Sequence, residues 1–116
     1  MAAKKYDLED RLVDFAASAA LFAEELPKNF TGTYYGNQLL RSGGSSALNF
    51  GEAQGANTDK DYIHRATICL RELKESRVNL KVLDKLGYGN QSTRNKLLDE
   101  AEQLARIIAT IIKNKK

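Results

Sequence analysis

Apolar residues recur at helical intervals along most of the chain. Leu8, Leu12, Phe15, Ala19, Phe22 and Leu26 are separated by 4, 3, 4, 3 and 4 positions, the spacing that gathers side chains on one face of an α-helix. Asp7 can cap the start of this segment, and Pro27, which disfavours helical backbone in the residue before it, closes it. The prediction is a first helix over about 8–26. "PKNFTGT" then reads as a connector, with Gly32 and two threonines able to cap the next element. Tyr62, Ala66, Cys69, Leu73, Ser76, Leu80 and Leu83 repeat the same step for about six turns. Thr58 supplies a cap with Asp61 three residues on, an acidic variant of the capping box, and Gly87 ends the segment. That predicts a helix over 59–86. "GYGNQ" is a turn, Ser92 a cap, and Leu97, Ala101, Leu104, Ile108 and Ile111 form a further stripe that Leu98, Ala105 and Ile112 widen. The corresponding helix runs over about 93–113.

The stretch between these segments is less ordinary. Ser42 to Ala56, "SGGSSALNFGEAQGA", holds four glycines, three serines and three alanines. A loop is one reading of it. Yet Leu39, Gly43, Ser46, Phe50 and Ala53 keep the 4, 3, 4, 3 step, and Leu40, Gly44, Ala47, Gly51 and Gly55 run beside them as a second stripe. A linker has no reason to keep either, so the pattern predicts a helix over about 34–55. Four interior glycines cost such a helix about 4 kcal/mol relative to alanine, at about 1 kcal/mol each. Close approach of neighbouring helices at Gly43, Gly44, Gly51 and Gly55 is the compensation the spacing suggests, within the chain or across subunits.

Four long amphipathic segments with short connections predict an all-α fold, an antiparallel up-down four-helix bundle forming a single domain over 1–116. The glycine-rich helix and the last helix carry stripes wider than one seam. In a lone bundle the surplus would face water, which predicts an oligomer.

Composition narrows the class. The 116 residues are 42% hydrophobic and 28% charged, a globular balance. Cys69 is the sole cysteine, so neither an internal disulfide nor a cysteine metal cage can form. The longest apolar run, "FAASAALFA", is far short of the ~20 residues of a membrane helix. The opening "MAAKKYDLEDRL" lacks a signal-type apolar region, and a soluble cytoplasmic protein is expected. The net charge of +3 is unevenly placed, with −3 over residues 1–26 and +3 over residues 87–116. The second half can therefore present basic surface.

Catalytic constellations are thin. A di-iron bundle needs Glu-x-x-His on two helices; the chain has one histidine, His64, in Asp61-x-x-His64. Cys69 lies in an apolar seam with His64 five residues away on another face, so it reads as core. "GYGN" lacks the context of a nucleotide-binding loop, and no Walker motif occurs. Neither an enzymatic activity nor a metal or cofactor is expected.

The run "QLLRSGGSSALNFGEAQGA" followed by "KDYIHRATICLRELKESRVNLKVLDKLGY" resembles the four-helix-bundle proteins encoded within intervening sequences of bacterial 23S ribosomal RNA genes. The matching positions are Arg41, Ser45, Asn49 and Glu52, then Asp61 and Tyr62 at the opening of the next helix and "LGY" at 86–88. Ala47 stands where that family often has proline, and Ala53 where it has glycine. The resemblance implies a homopentamer of bundles with no established enzymatic activity. A distant relative, the accessory variability determinant of diversity-generating retroelements, is a basic pentamer that associates with nucleic acid and a reverse transcriptase.

Two groups of residues carry functional expectations. Arg41, Ser45, Asn49 and Glu52 are expected to hydrogen-bond between helices or across subunits, with a functional surface as the lesser reading. Opposite the seam of the third helix stand Lys60, His64, Arg71, Lys74, Lys81 and Lys85, and the tail adds Lys113, Lys115 and Lys116. This stripe is the candidate nucleic-acid contact, although a solvated helix face is commonly charged and no aromatic residue interleaves it. Two function classes follow: an oligomeric accessory protein that binds RNA or DNA, and a protein–protein scaffold with no nucleic-acid role.

Overall fold

The structure, a computed structural model, describes residues 7–116; the first six residues of the predicted domain lie outside that range. Four helices make up its regular structure: α1 (Leu8–Glu24), α2 (Phe30–Gln54), α3 (Asp59–Leu86) and α4 (Gln91–Lys115). No strand occurs among the described residues. Each helix packs on its neighbours in sequence and α4 returns to α1, while the backbones of diagonal pairs stay apart. Principal extents of 44 × 35 × 18 Å make the bundle long and two helix layers deep.

The helix starts are written in short polar side chains. Asp7 accepts from the Asp10 backbone N–H, and the Asp10 carboxylate accepts from that of Asp7, a complete capping box. Thr58 accepts from the Asp61 N–H, and Gly87, at φ 69°, provides the left-handed residue that stops α3. Two predicted starts move. The connector before α2 is shorter than "PKNFTGT", because Asn29 accepts from the Gly32 N–H and sets helix from Phe30 onward. Gly32 then lies so close beneath the Pro27 carbonyl that a Cβ would overlap its oxygen. In α4 the cap is Asn90, accepting from Thr93, rather than Ser92.

The core is the four predicted seams brought together. Leu12, Phe15 and Phe22 from α1 meet Leu39 and Phe50 from α2, Cys69, Leu73 and Leu80 from α3, and Leu104 and Ile108 from α4. Serines take seam positions between α2 and α3. Ser42 and Ser76 are fully buried, with their hydroxyl oxygens 2.7 Å apart, and Ser46 donates to the Gly43 carbonyl at 2.7 Å. Each buried hydroxyl is thereby satisfied while its small volume lets the two helices lie close.

The glycines of α2 behave differently from the expectation. A Cβ at Gly43 would meet Ala19 and Ala16 of α1 at 3.5 and 3.8 Å, ordinary contact, and at Gly44 it would meet nothing within 4 Å. Gly51 faces only the Glu9 carboxylate, and Gly55 is the helix cap, facing its own turn. Of the four, Gly43 alone packs closely against another helix of the chain, and a methyl would fit there in ordinary contact. The alanines of α1 already set the spacing there. The wide stripe of α4 also resolves inside the chain: Leu98 and Ala105 pack against the core because α4 lies between α3 and α1. Surplus apolar surface sits instead on α1 and α2. Leu21 is 64% exposed and Leu48 71%, with Val13 and Leu40 also open to water.

Candidate nucleic-acid interface

The outer face of α3 is built by the same period that buries its seam. Lys60, His64, Arg71, Lys74, Lys81 and Lys85 are all exposed, and Val78 is the apolar residue that breaks the row. Among the described residues none of these six forms an ion pair. The reason lies in the acids of the same helix. Glu72 and Glu75 accept from Arg41 of α2 at 3.0 and 2.6 Å, Asp84 accepts from Arg94 of α4 at 3.0 Å, and Asp59 pairs with Lys115 at 3.5 Å. Cations from neighbouring helices pair with four of the five acids of α3, Asp61 being the exception, and leave its own lysines without ion pairs among the described residues. That surplus gives the face a positive potential.

His64 fits this row less well than its spacing suggests. It shares a shallow hollow with Glu52, Asp61 and Arg65, so its surroundings are mixed in charge. Lys115 also departs from the free basic tail that was expected. It pairs with Asp59 and lies over the Tyr62 ring at 4.4 Å, which ties the end of α4 to the start of α3. Lys113 and Lys116 remain exposed.

Two cations beside the row were missed in the sequence. Arg77 lies between Lys74 and Lys81 on α3, and Arg106 lies on α4 across the groove that Lys74 and Arg77 line. Arg77 is three residues from Lys74 and four from Lys81, a helical neighbour of both. Arg106 carries no such local signal; only packing of α4 against α3 brings it near.

The polar positions of α2 do not form one group. Arg41 reaches Glu72 and Glu75, Glu52 pairs with Arg65 at 2.8 Å, and the Asn49 amide turns back to donate to the Ser45 carbonyl and hydroxyl at 2.9 and 3.1 Å. Two of the four thus stitch α2 to α3, and two stay within α2. All are half-buried or exposed, so the large penalty of breaking a buried pair does not apply.

The structure offers little to nucleophilic or metal chemistry. Cys69 is fully buried, and burial first, then the charge of Glu72, pushes its thiol up to about 12. It is a protonated core side chain at neutral pH. No group of three or more metal-ligating side chains occurs among the described residues, and no described helix is long and apolar enough to cross a membrane.

This architecture has solved counterparts. A crystal structure of a protein of unknown function from the S23 ribosomal protein family of Bacteroides thetaiotaomicron superposes with a TM-score of 0.85 at 25% identity, covering 92% of this chain and 99% of that one. A comparison with curated proteins finds no match. A family model described as 23S rRNA-intervening sequence protein matches residues 4–110, nearly the whole bundle together with its basic α3 face. The chain belongs to the 23S rRNA-intervening sequence protein family.

Proposed function

We propose that this chain is a non-enzymatic, self-associating accessory protein that holds a nucleic-acid strand along the outer face of α3. The observation that carries the reading is the row of cations on that face without ion pairs among the described residues, while Arg41, Arg94 and Lys115 occupy four of the helix's five acids. Arg71 to Lys85 spans about 21 Å at the 1.5 Å rise of a helix. One strand presents about six phosphates over that length, at about 3.4 Å each. With no aromatic side chain in the row, binding is by charge and tolerant of sequence.

Self-association is supported by the opposite side of the molecule. Among the described residues, six of the eight large exposed apolar or aromatic side chains belong to α1 and α2. Gly43 lies against Ala16 and Ala19, so α1 and α2 pack side by side. Leu40 and Leu48 on α2 and Val13 and Leu21 on α1 are all exposed, apolar surface of the kind copies bury. The assembly we propose is a homopentamer, and sedimentation velocity on the purified protein checks it.

The test of the nucleic-acid reading is anisotropy of a labelled single-stranded oligonucleotide, RNA and DNA in parallel, from ~50 mM salt upward. Four neutralised phosphates give a log–log salt slope near −3, at about −0.7 per phosphate. Absence of binding at ~50 mM salt sinks it. The exposed Leu21 and Leu48 favour a second reading, a scaffold for a protein partner, in which charge reversal at Arg71 and Lys74 leaves partner binding intact.

A further inference from the structure

We infer that the groove between α3 and α4 is an anion seat, taking one phosphodiester of a bound strand between Arg77, Lys74 and Arg106. The inference rests on the proposed nucleic-acid reading and adds to it a defined contact point off the exposed row. The groove is open, with a volume of about 190 Å³. Leu70, Ala105 and Ala109 give it apolar walls, and its charged lining is three cations against one acid, Glu102.

Among the described residues none of these four charges is in an ion pair. The Nε of Arg77 is shielded from water and donates to no group among the described residues, an unfavourable state for a charged donor. The other arginines make the contrast. Arg11 holds Glu100, Arg41 holds Glu72 and Glu75, Arg65 holds Glu52, and Arg94 donates to Asp84 and to the Tyr88 and Gly89 carbonyls. The three arginines outside this pairing, Arg71, Arg77 and Arg106, all lie on α3 and α4.

Three cations against one acid leave a net positive charge at the groove, and an anion between them reduces their repulsion. A guanidinium fork matches two oxygens of a tetrahedral phosphate, and two forks plus an ammonium give such a group several charge-assisted hydrogen bonds. The groove continues the row of Arg71, Lys81 and Lys85, so the anion that fits both is one unit of a polyanionic chain. Glu102 opposes it and keeps affinity for an isolated anion modest.

Two measurements on the full chain test this. Thermal unfolding is followed with pyrophosphate against chloride at matched ionic strength, for wild type, Arg77→Gln, Arg106→Gln and Glu102→Gln. Pyrophosphate raises the wild-type Tm, raises that of Glu102→Gln further, and leaves the two arginine variants unmoved. Oligonucleotide anisotropy follows the same proteins, and Arg106→Gln weakens binding about tenfold and flattens the salt slope by close to one. Arg106 is exposed, so its variant stays informative if Arg77→Gln folds poorly. Pyrophosphate stabilisation without oligonucleotide binding upholds an anion-binding groove but overturns its assignment to a bound strand, together with the nucleic-acid reading. Oligonucleotide binding that Lys81→Gln weakens while neither arginine variant changes it, with no pyrophosphate effect, overturns the seat and leaves the wider reading standing. No response to either probe overturns both.

Discussion

Arg41 on α2 holds the Glu75 carboxylate of α3 at 2.6 Å, and its other terminal nitrogen holds Glu72 at 3.0 Å. All three side chains keep some contact with water, which screens the pairs, so each contributes less than about 1 kcal/mol to the fold. Their larger effect is on the surface beyond them. Arg41→Gln is expected to lower stability only slightly in urea unfolding, while weakening oligonucleotide binding several-fold at low salt because Glu72 and Glu75 then oppose Arg71 and Lys74. Unchanged affinity in that variant would show that the pairing does not shape the basic face.

Two glycines should respond in opposite directions to alanine. Gly44 lies in mid-helix with open space around it, so Gly44→Ala gains about 1 kcal/mol in the stability of the subunit. If copies approach one another over the α1–α2 face, the added methyl weakens their association, and sedimentation velocity reads a shift toward smaller species. Gly89 sits at φ 82°, and a Cβ there would run into the Phe22 ring. Gly89→Ala is expected to cost about 2 kcal/mol or more, through backbone strain and displacement of a core side chain.

The buried hydroxyls of Ser42 and Ser76 form a coupled pair. Ser76→Ala leaves Ser42 its weaker contact with the Leu39 carbonyl at 3.4 Å and is expected to cost about 1 kcal/mol. The double alanine variant should cost less than the sum of the two singles, a coupling that a double-mutant cycle in denaturant measures. Ser42→Leu forces α2 and α3 apart and should cost more, about 1–3 kcal/mol.

Cys69 predicts a pH dependence of known sign. Its thiol is raised in the folded chain to about 12, against about 8.5 for a free cysteine. Between these values the unfolded chain has lost the proton and the native one has kept it, so native binds more protons and stability falls as pH rises. Tyr62, raised mainly by burial, acts in the same direction at higher pH. Thermal unfolding of Cys69→Ala should therefore show a shallower loss of Tm above pH 9 than wild type. At neutral pH the native protein should resist thiol alkylation until it unfolds.

Much of the fold is legible in one dimension because its signals are local. α3 runs from Asp59 to Leu86, as the Thr58 cap and the Gly87 stop indicate, and both signals act through the backbone within one turn. The start of α2 is harder, since "NFTG" offers several caps. Asn29 is selected because Gly32 can lie beneath the Pro27 carbonyl, where a side chain would collide. The same division runs through the candidate site. Lys74 and Lys81 share a helix face by spacing alone. Arg77 was within reach of the same period, and Arg106 was not.

Helical period, caps and the small residues of "SGGSSALNFGEAQGA" by themselves determine four helices and which stripe of each is buried, because a 3.6-residue repeat ties sequence position to face. Tertiary structure decides what those faces do. It sends the wide stripe of α4 inward, leaves Leu21 and Leu48 in water, and lets Arg41, Arg94 and Lys115 claim four of the five acids of α3. Charge at a surface depends on which opposite charges lie within a few ångströms, and for α3 those come from other helices, far away along the chain.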